Sequence, residues 1–144
     1  MAKSSSYSAK NVAGTLDGQK VQGLWEGDDA IVVASSGDIG TGMTGADGDS
    51  IFSQRAGTPH TITLRLQHTS PTHRLLHQKW AMQRAEGIRI IGFPFSVMDV
   101  DSGEGGATDQ CFIQTAPNDS KGVNAVAREW VLWTGQWIPE IPAG

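Results

Sequence analysis

The chain has 144 residues, enough for one domain that buries its own core without disulfide support. Hydrophobic residues make up 38% and charged residues 18%, with 18 glycines, which excludes a long coiled coil. Net charge is −4 with acids and bases dispersed, the wrong sign for a sequence-independent grip on phosphate.

No apolar run approaches the ~20 residues that cross a bilayer, so no membrane insertion is expected. Met1 to Lys10 has no apolar segment of a secretory signal. The one cysteine, Cys111, allows no internal disulfide, and no Cys cluster suggests zinc. The composition describes a single β-rich domain over 1–144.

Residues 1–6, ending in Ser4-Ser5-Ser6, read as a flexible polar tail. Leu16-Asp17-Gly18-Gln19 carries the Asp-Gly pair of a tight hairpin turn, followed by Val21 to Trp25. Glu26-Gly27-Asp28-Asp29 turns the chain again, and Ala30 to Ala34 is a β-branched run. Asp17 to Ala34 is therefore expected as an early hairpin. Ser35 to Asp49 holds five glycines, with Ile39 and Met43 as its larger apolar residues, and is predicted as a long loop.

His60 to His68 alternates cleanly, with Ile62, Leu64 and Leu66 on one face, as a strand with one wet face does. Ser70-Pro71 reads as an N-cap followed by proline at the first helical position. Pro71 to Ala85 then has Leu75, Leu76, Trp80 and Met82 near helical spacing, with Arg74, Gln78, Lys79 and Gln83 opposite and Gly87 placed to end the helix. Phe93, Phe95 and Val97 alternate, Asp101 to Thr108 reads as a glycine-rich turn, and Cys111 to Gln114 as a short strand. Ala125 to Thr134 is a β-type run. About eight strands and one helix predict a mainly β fold, a β-sandwich or barrel with one covering helix.

Catalytic chemistry finds little support. His73 and His77 are four apart on the predicted helix, but no Glu follows His73 and no third ligand stands at a plausible spacing, so two solvated histidines are expected and no metal. Asp47-Gly48-Asp49 and Asp99-Val100-Asp101 lack the stepped ligands of a calcium loop and read as turns. Cys111 sits beside Phe112 in an apolar strand, where a buried, inert thiol is the default. No nucleophile elbow, phosphate loop or dinucleotide fingerprint occurs, so no catalytic residue and no cofactor is assigned.

Five tryptophans stand out: Trp25, Trp80, Trp130, Trp133 and Trp137. Trp130 and Trp133 differ by an odd step, so a regular strand sends them to opposite faces. One can be core while the other meets solvent or a partner, which fits an assembling protein; the alternative is a strand buried on both faces. The competing class is a monomeric β-sandwich that binds a small ligand or protein on a tryptophan platform.

The order of parts resembles the tail tube proteins of tailed bacteriophages and contractile injection systems. The phrases that carry the resemblance are Tyr7-Ser8-Ala9-Lys10-Asn11-Val12, the stretch from Leu66-Gln67-His68-Thr69-Ser70-Pro71 to Leu76, and Arg128-Glu129-Trp130-Val131-Leu132-Trp133-Thr134-Gly135. They are similar to a structural-protein family of myophages, and the likeness runs from Tyr7 to Trp137.

The resemblance implies a structural virion protein, not an enzyme. It would be made in the host cytoplasm, self-assembled into hexameric rings and stacked as the tube of a contractile tail. With about four strands per subunit, a ring of about 24 strands at ~4.8 Å spacing and ~40° tilt is roughly 48 Å across its backbone and about 40 Å across its bore. The implied partners are further copies, tail sheath, tape-measure and baseplate or tail-terminator proteins, with DNA passing the lumen without specific binding.

On the same resemblance, 35–49 is an inter-subunit loop, with Gly37, Asp38, Ile39, Met43, Asp47 and Asp49 as contact candidates. Lys20, Gln22, Glu26, Asp28, Asp29, Gln110 and Gln114 are lumen candidates. The helix packs Leu75, Leu76 and Trp80 inward, outside the bore, with its polar side on the outer wall.

Overall fold

The computed structural model describes residues 12–25, 30–85, 91–99, 103–119, 121–122 and 126–142. Ten strands and one helix are found among these residues. They are β1 (Val12–Leu16), β2 (Gln19–Lys20), β3 (Ile31–Ser35), β4 (Gly40–Thr44), β5 (Ser50–Gln54) and β6 (His60–Leu66), then α1 (Pro71–Arg84), β7 (Phe93–Asp99), β8 (Gly105–Thr115), β9 (Arg128–Thr134) and β10 (Ile138–Glu140).

Eight strands form one antiparallel sheet, seven of them in the order β2-β1-β7-β8-β9-β6-β3 and the eighth, β10, paired to β8 off that path. β8 is the strand on which the sheet turns. Its first part lies between β7 and β10, and its second part pairs β9. Gly106 and Thr108 point inward in the first part and Cys111 and Ile113 in the second, so the inward parity changes at Asp109-Gln110. A register shift against β7 falls at the same place, as a bulge in a bending strand produces.

The two leaves enclose one core. Leu16, Phe93 and Phe95 come from one leaf, Ile62, Leu64, Trp130 and Leu132 from the other, and Leu76 from the helix. Cys111 is fully buried, and desolvation pushes its thiol up to about 12, so it is inert as expected.

Helix α1 closes one side and is tied to both leaves. The Ser70 hydroxyl accepts from the Thr72 and His73 amides, the predicted N-cap, and donates to the Gln22 carbonyl. Gly23 (φ 70°) lies against Ser70 so closely that a Cβ would stand 2.6 Å from the serine side chain. At the far end Ala85 caps the helix in extended conformation; Gly87, expected to do so, lies outside the described residues.

Several sequence expectations need correction. Asp17-Gly18 does make a hairpin turn, but β2 is only two residues long, and Val21 to Trp25 forms just one bridge, Leu24 to Leu66. β3 pairs with β6 rather than with the Asp17 side, so Asp17 to Ala34 is not one hairpin. The expected loop 35–49 is instead half of a hairpin, β4–β5. Gly105 to Thr108 belongs to β8, not to a turn, because small residues there let Trp137 pack close: a Cβ on Gly106 would meet its indole at 2.6 Å. The expected flexible tail, 1–6, lies outside the described residues.

Candidate assembly surfaces

The β4–β5 hairpin stands apart from the sandwich as its own two-stranded sheet. Register sets Met43 opposite Ile51 and Gly42 opposite Phe52. By alternation Ile39, Met43 and Ile51 share one face, while the Phe52 ring lies over Gly40, where a Cβ would stand 2.6 Å from it. Ile39, Met43, Ile51 and Phe52 are each exposed by about two thirds (68, 69, 66 and 66%). No charged residue occurs in either strand of this arm.

The base of the arm is held firmly. The Arg55 guanidinium donates to the Ser36 and Asp38 carbonyls, and the Arg55 amide to Ile39. The tip is a turn in which Gly45 and Asp49 pair and Asp47 accepts from the Asp49 amide at 3.3 Å, so Asp47-Gly48-Asp49 is turn chemistry as read. Of the six contact candidates, Gly37, Asp38, Ile39, Met43, Asp47 and Asp49 all lie on this arm. The sequence reading missed Ile51 and Phe52, adjacent apolar residues between Ser50 and Ser53 that lack the period-2 alternation of a half-buried strand.

The sheet edges differ. The Gln83 side-chain amide donates to the Ile113 carbonyl at 2.9 Å and accepts from the Ile113 amide at 3.1 Å, imitating a neighbouring strand along β8. Gln83 therefore faces inward, against the expectation of a polar outer position. Lys79 also turns from solvent, pairing with Asp17 and lying over Phe93. β3 has no strand on its far side among the described residues, and is an open edge.

Helix packing follows the expected face: Leu76 is fully buried, with Leu75 and Trp80 against the core. His73 is not the solvated residue expected. Its Nδ1 accepts the Trp130 indole N–H at 2.9 Å, with His77 edge-on at 4.6 Å. Desolvation lowers its pKa, helped by His77, Arg128 and His68 and opposed by Asp119. His77 stays exposed. No group of His, Cys, Asp and Glu among the described residues is arranged to hold a metal ion.

An exposed arm with uncharged strands and an open sheet edge describe a protein built to join others. A family model described as bacteriophage PhiTE tail tube protein matches residues 4–140. The chain belongs to that family. It is a structural component of the phage tail tube in the virion, and not an enzyme.

Solved structures show the same tube fold at low identity. The sheath/tube terminator of an extracellular contractile injection system in its extended state superposes with a TM-score of 0.62 at 10% identity, covering 97% of this chain and 100% of that one. The sheath-tube complex of such a system gives 0.57 at 11%, covering 92% and 90%. The tube-terminating cap of the anti-feeding prophage gives 0.55 at 10%, covering 97% and 94%. No curated protein sequence matches the chain.

The lumen candidates of this tail tube protein are spread out. Lys20 is exposed on β2 and Gln22 is exposed beside the helix start, where its amide donates to Thr72 Oγ1 at 2.8 Å. Gln110 and Gln114 are exposed on β8, three strands along the sheet from β2. Glu26, Asp28 and Asp29 lie outside the described residues. The two tryptophans of β9 divide as predicted, Trp130 fully buried and Trp133 39% exposed.

Proposed function

We propose that this tail tube protein assembles into hexameric rings that stack as a hollow conduit for DNA ejection. The observation that carries it is the arm: a two-stranded hairpin with four exposed large apolar side chains is marginal alone in water and needs another surface. The open edge of β3 needs one too, since unpaired edges recruit strands and closing a ring removes them. Tail tube membership and the likeness to tube, terminator and cap proteins support the reading.

Partners follow from the same comparisons. The neighbours are a sheath/tube terminator, a member of a sheath–tube complex and a tube-terminating cap, so sheath and terminator are the proposed partners here, with tape-measure and baseplate proteins at the lumen and end. The helix's exposed side, with Arg74, Gln78 and Met82, is the outer wall offered to sheath. Assembly takes place in the host cytoplasm.

Electrostatics suits passage. Six copies at −4 each place −24 on a ring, so the assembly does not hold phosphate, and DNA slides instead of binding. Lys20, Gln22, Glu26, Asp28, Asp29 and Gln114 remain the proposed lumen set, while Gln110 lines a groove beside β9. A monomeric sandwich with a tryptophan platform is the weaker reading, since Trp130 and Trp137 are buried, Trp25 and Trp80 partly so, and Trp133 is the one exposed tryptophan.

Electron microscopy of the purified protein tests the proposal. Hollow filaments built of six-fold rings are expected, and uniform small particles at every concentration would reject it.

A further inference from the structure

We propose that the apolar face of the arm on one copy seats in the groove between β8 and the β9–β10 corner of another copy. The inference rests on the tube reading and names the surface that receives the arm. That groove holds about 620 Å³ and is lined among others by Asp109, Gln110, Phe112, Trp133, Gln136 and Ile138. Its apolar walls are open to solvent, Trp133 at 39% and Ile138 at 60%.

Arm and groove do not meet within one chain. The arm is rooted at the rim of its own groove, where Thr58 bridges Gln136 and its carbonyl accepts from the Trp137 amide at 3.1 Å. From that root it leaves, so that Ile39, Met43 and Ile51 stay exposed while Trp133 and Ile138 stay uncovered. Two unlike surfaces that complement each other on one molecule make a head-to-tail contact. Such contacts close into rings or run on as filaments, where an arm-to-arm contact would stop at a pair.

Charge and area define the contact. Each copy carries −4 and repels the next, and the strands of the arm are an uncharged stretch between the acids of its tip, Asp47 and Asp49, and Asp38 at its base. Among the groove residues Asp109 alone is charged. The three apolar residues of that face offer on the order of 400 Å², and with an equal area on the groove the contact is about 800 Å², a small interface that gains its strength from repetition in the assembly. Every subunit gives one arm and receives one, so each is held twice.

Mixed cross-linking tests this directly. Ile51→Cys protein and Trp133→Cys protein are assembled alone and together under mild oxidation, with buried Cys111 left in place, and read on non-reducing gels beside electron microscopy. A covalent dimer is expected in the mixture and in neither sample alone. Gln136→Cys, on the exposed rim, replaces the acceptor if Trp133→Cys does not fold. A dimer from Ile51→Cys alone would mean arm meets arm and overturns the assignment. Filaments without a mixed dimer would reject the groove and keep the tube. Absence of filaments from the wild-type chain would reject the tube, and a mixed dimer there would still uphold the contact between copies.

Discussion

Strands β5 and β6 follow each other closely and both carry large apolar residues, yet their fates are opposite. In β6 Ile62, Leu64 and Leu66 are fully buried, while every residue of β5 is exposed. β6 has a strand on each side, β3 and β9, and a second leaf facing it. β5 has β4 alone. Apolar content does not decide burial; the number of layers the chain supplies does. The sandwich buries its core in one copy, and on the proposed reading the arm is finished by another. Substitutions in the two regions should therefore separate folding from assembly.

The largest expected effect on folding is at the helix–sandwich seam. Leu76 is fully buried, so Leu76→Ala should cost about 2–5 kcal/mol in a denaturant titration. A loss under about 0.5 kcal/mol would place the side chain at the surface and undo the packing described, since surface changes stay in that range. Assembly of any Leu76→Ala protein that remains folded should be near normal.

The arm should behave the other way. Ile51→Ser with Phe52→Ser removes two side chains exposed by 66% each and should shift the unfolding free energy by no more than about 0.5 kcal/mol. Filaments should nevertheless disappear from electron micrographs. Loss of stability comparable to Leu76→Ala would show that the arm packs on its own subunit, and intact filaments would show that it is not a contact.

The contrast also explains what was legible beforehand. β6, β7, β9 and the capped helix were readable because their burial is settled inside the chain, where alternation or 3.6-residue spacing carries the signal. The arm read as a loop because five glycines in 35–49 hide strand periodicity: Gly40 is there to admit the Phe52 ring, a contact between strands that spacing along one strand does not reveal. The pairing of β3 with β6 instead of β2 was hidden for a similar reason, since strand choice is non-local. β8 looked short because its inward parity changes at Asp109-Gln110. Gln83 and His73 looked solvated because their partners, Ile113 and Trp130, lie on strands 30 and 57 residues away. Whole-pattern resemblance reached the family where local motifs did not.

The smallest effect expected concerns pH, again at the seam and not in the arm. His73 Nδ1 accepts the Trp130 N–H, so it must be unprotonated there, and protonation would set two donors against each other. Burial, first, and the charges of His77, Arg128 and His68 hold its pKa below the ordinary value of 6.5, with Asp119 pulling the other way. The unfolded chain thus binds this proton more readily than the folded one. The stability it contributes is full above the unfolded value and is lost as pH falls through the lower folded value. Solvent reaches the ring, which keeps the effect modest.

Thermal unfolding at a series of pH values from neutral to mildly acidic, wild type beside His73→Gln, isolates it from the carboxylates both proteins share. Glutamine keeps an acceptor for the indole without a titrating group, so the wild type should lose more stability on acidification than the variant. Parallel curves would show that His73 is not the residue that takes up the proton. Ile51→Ser with Phe52→Ser should leave the difference untouched, because nothing in the arm touches the His73–Trp130 bond.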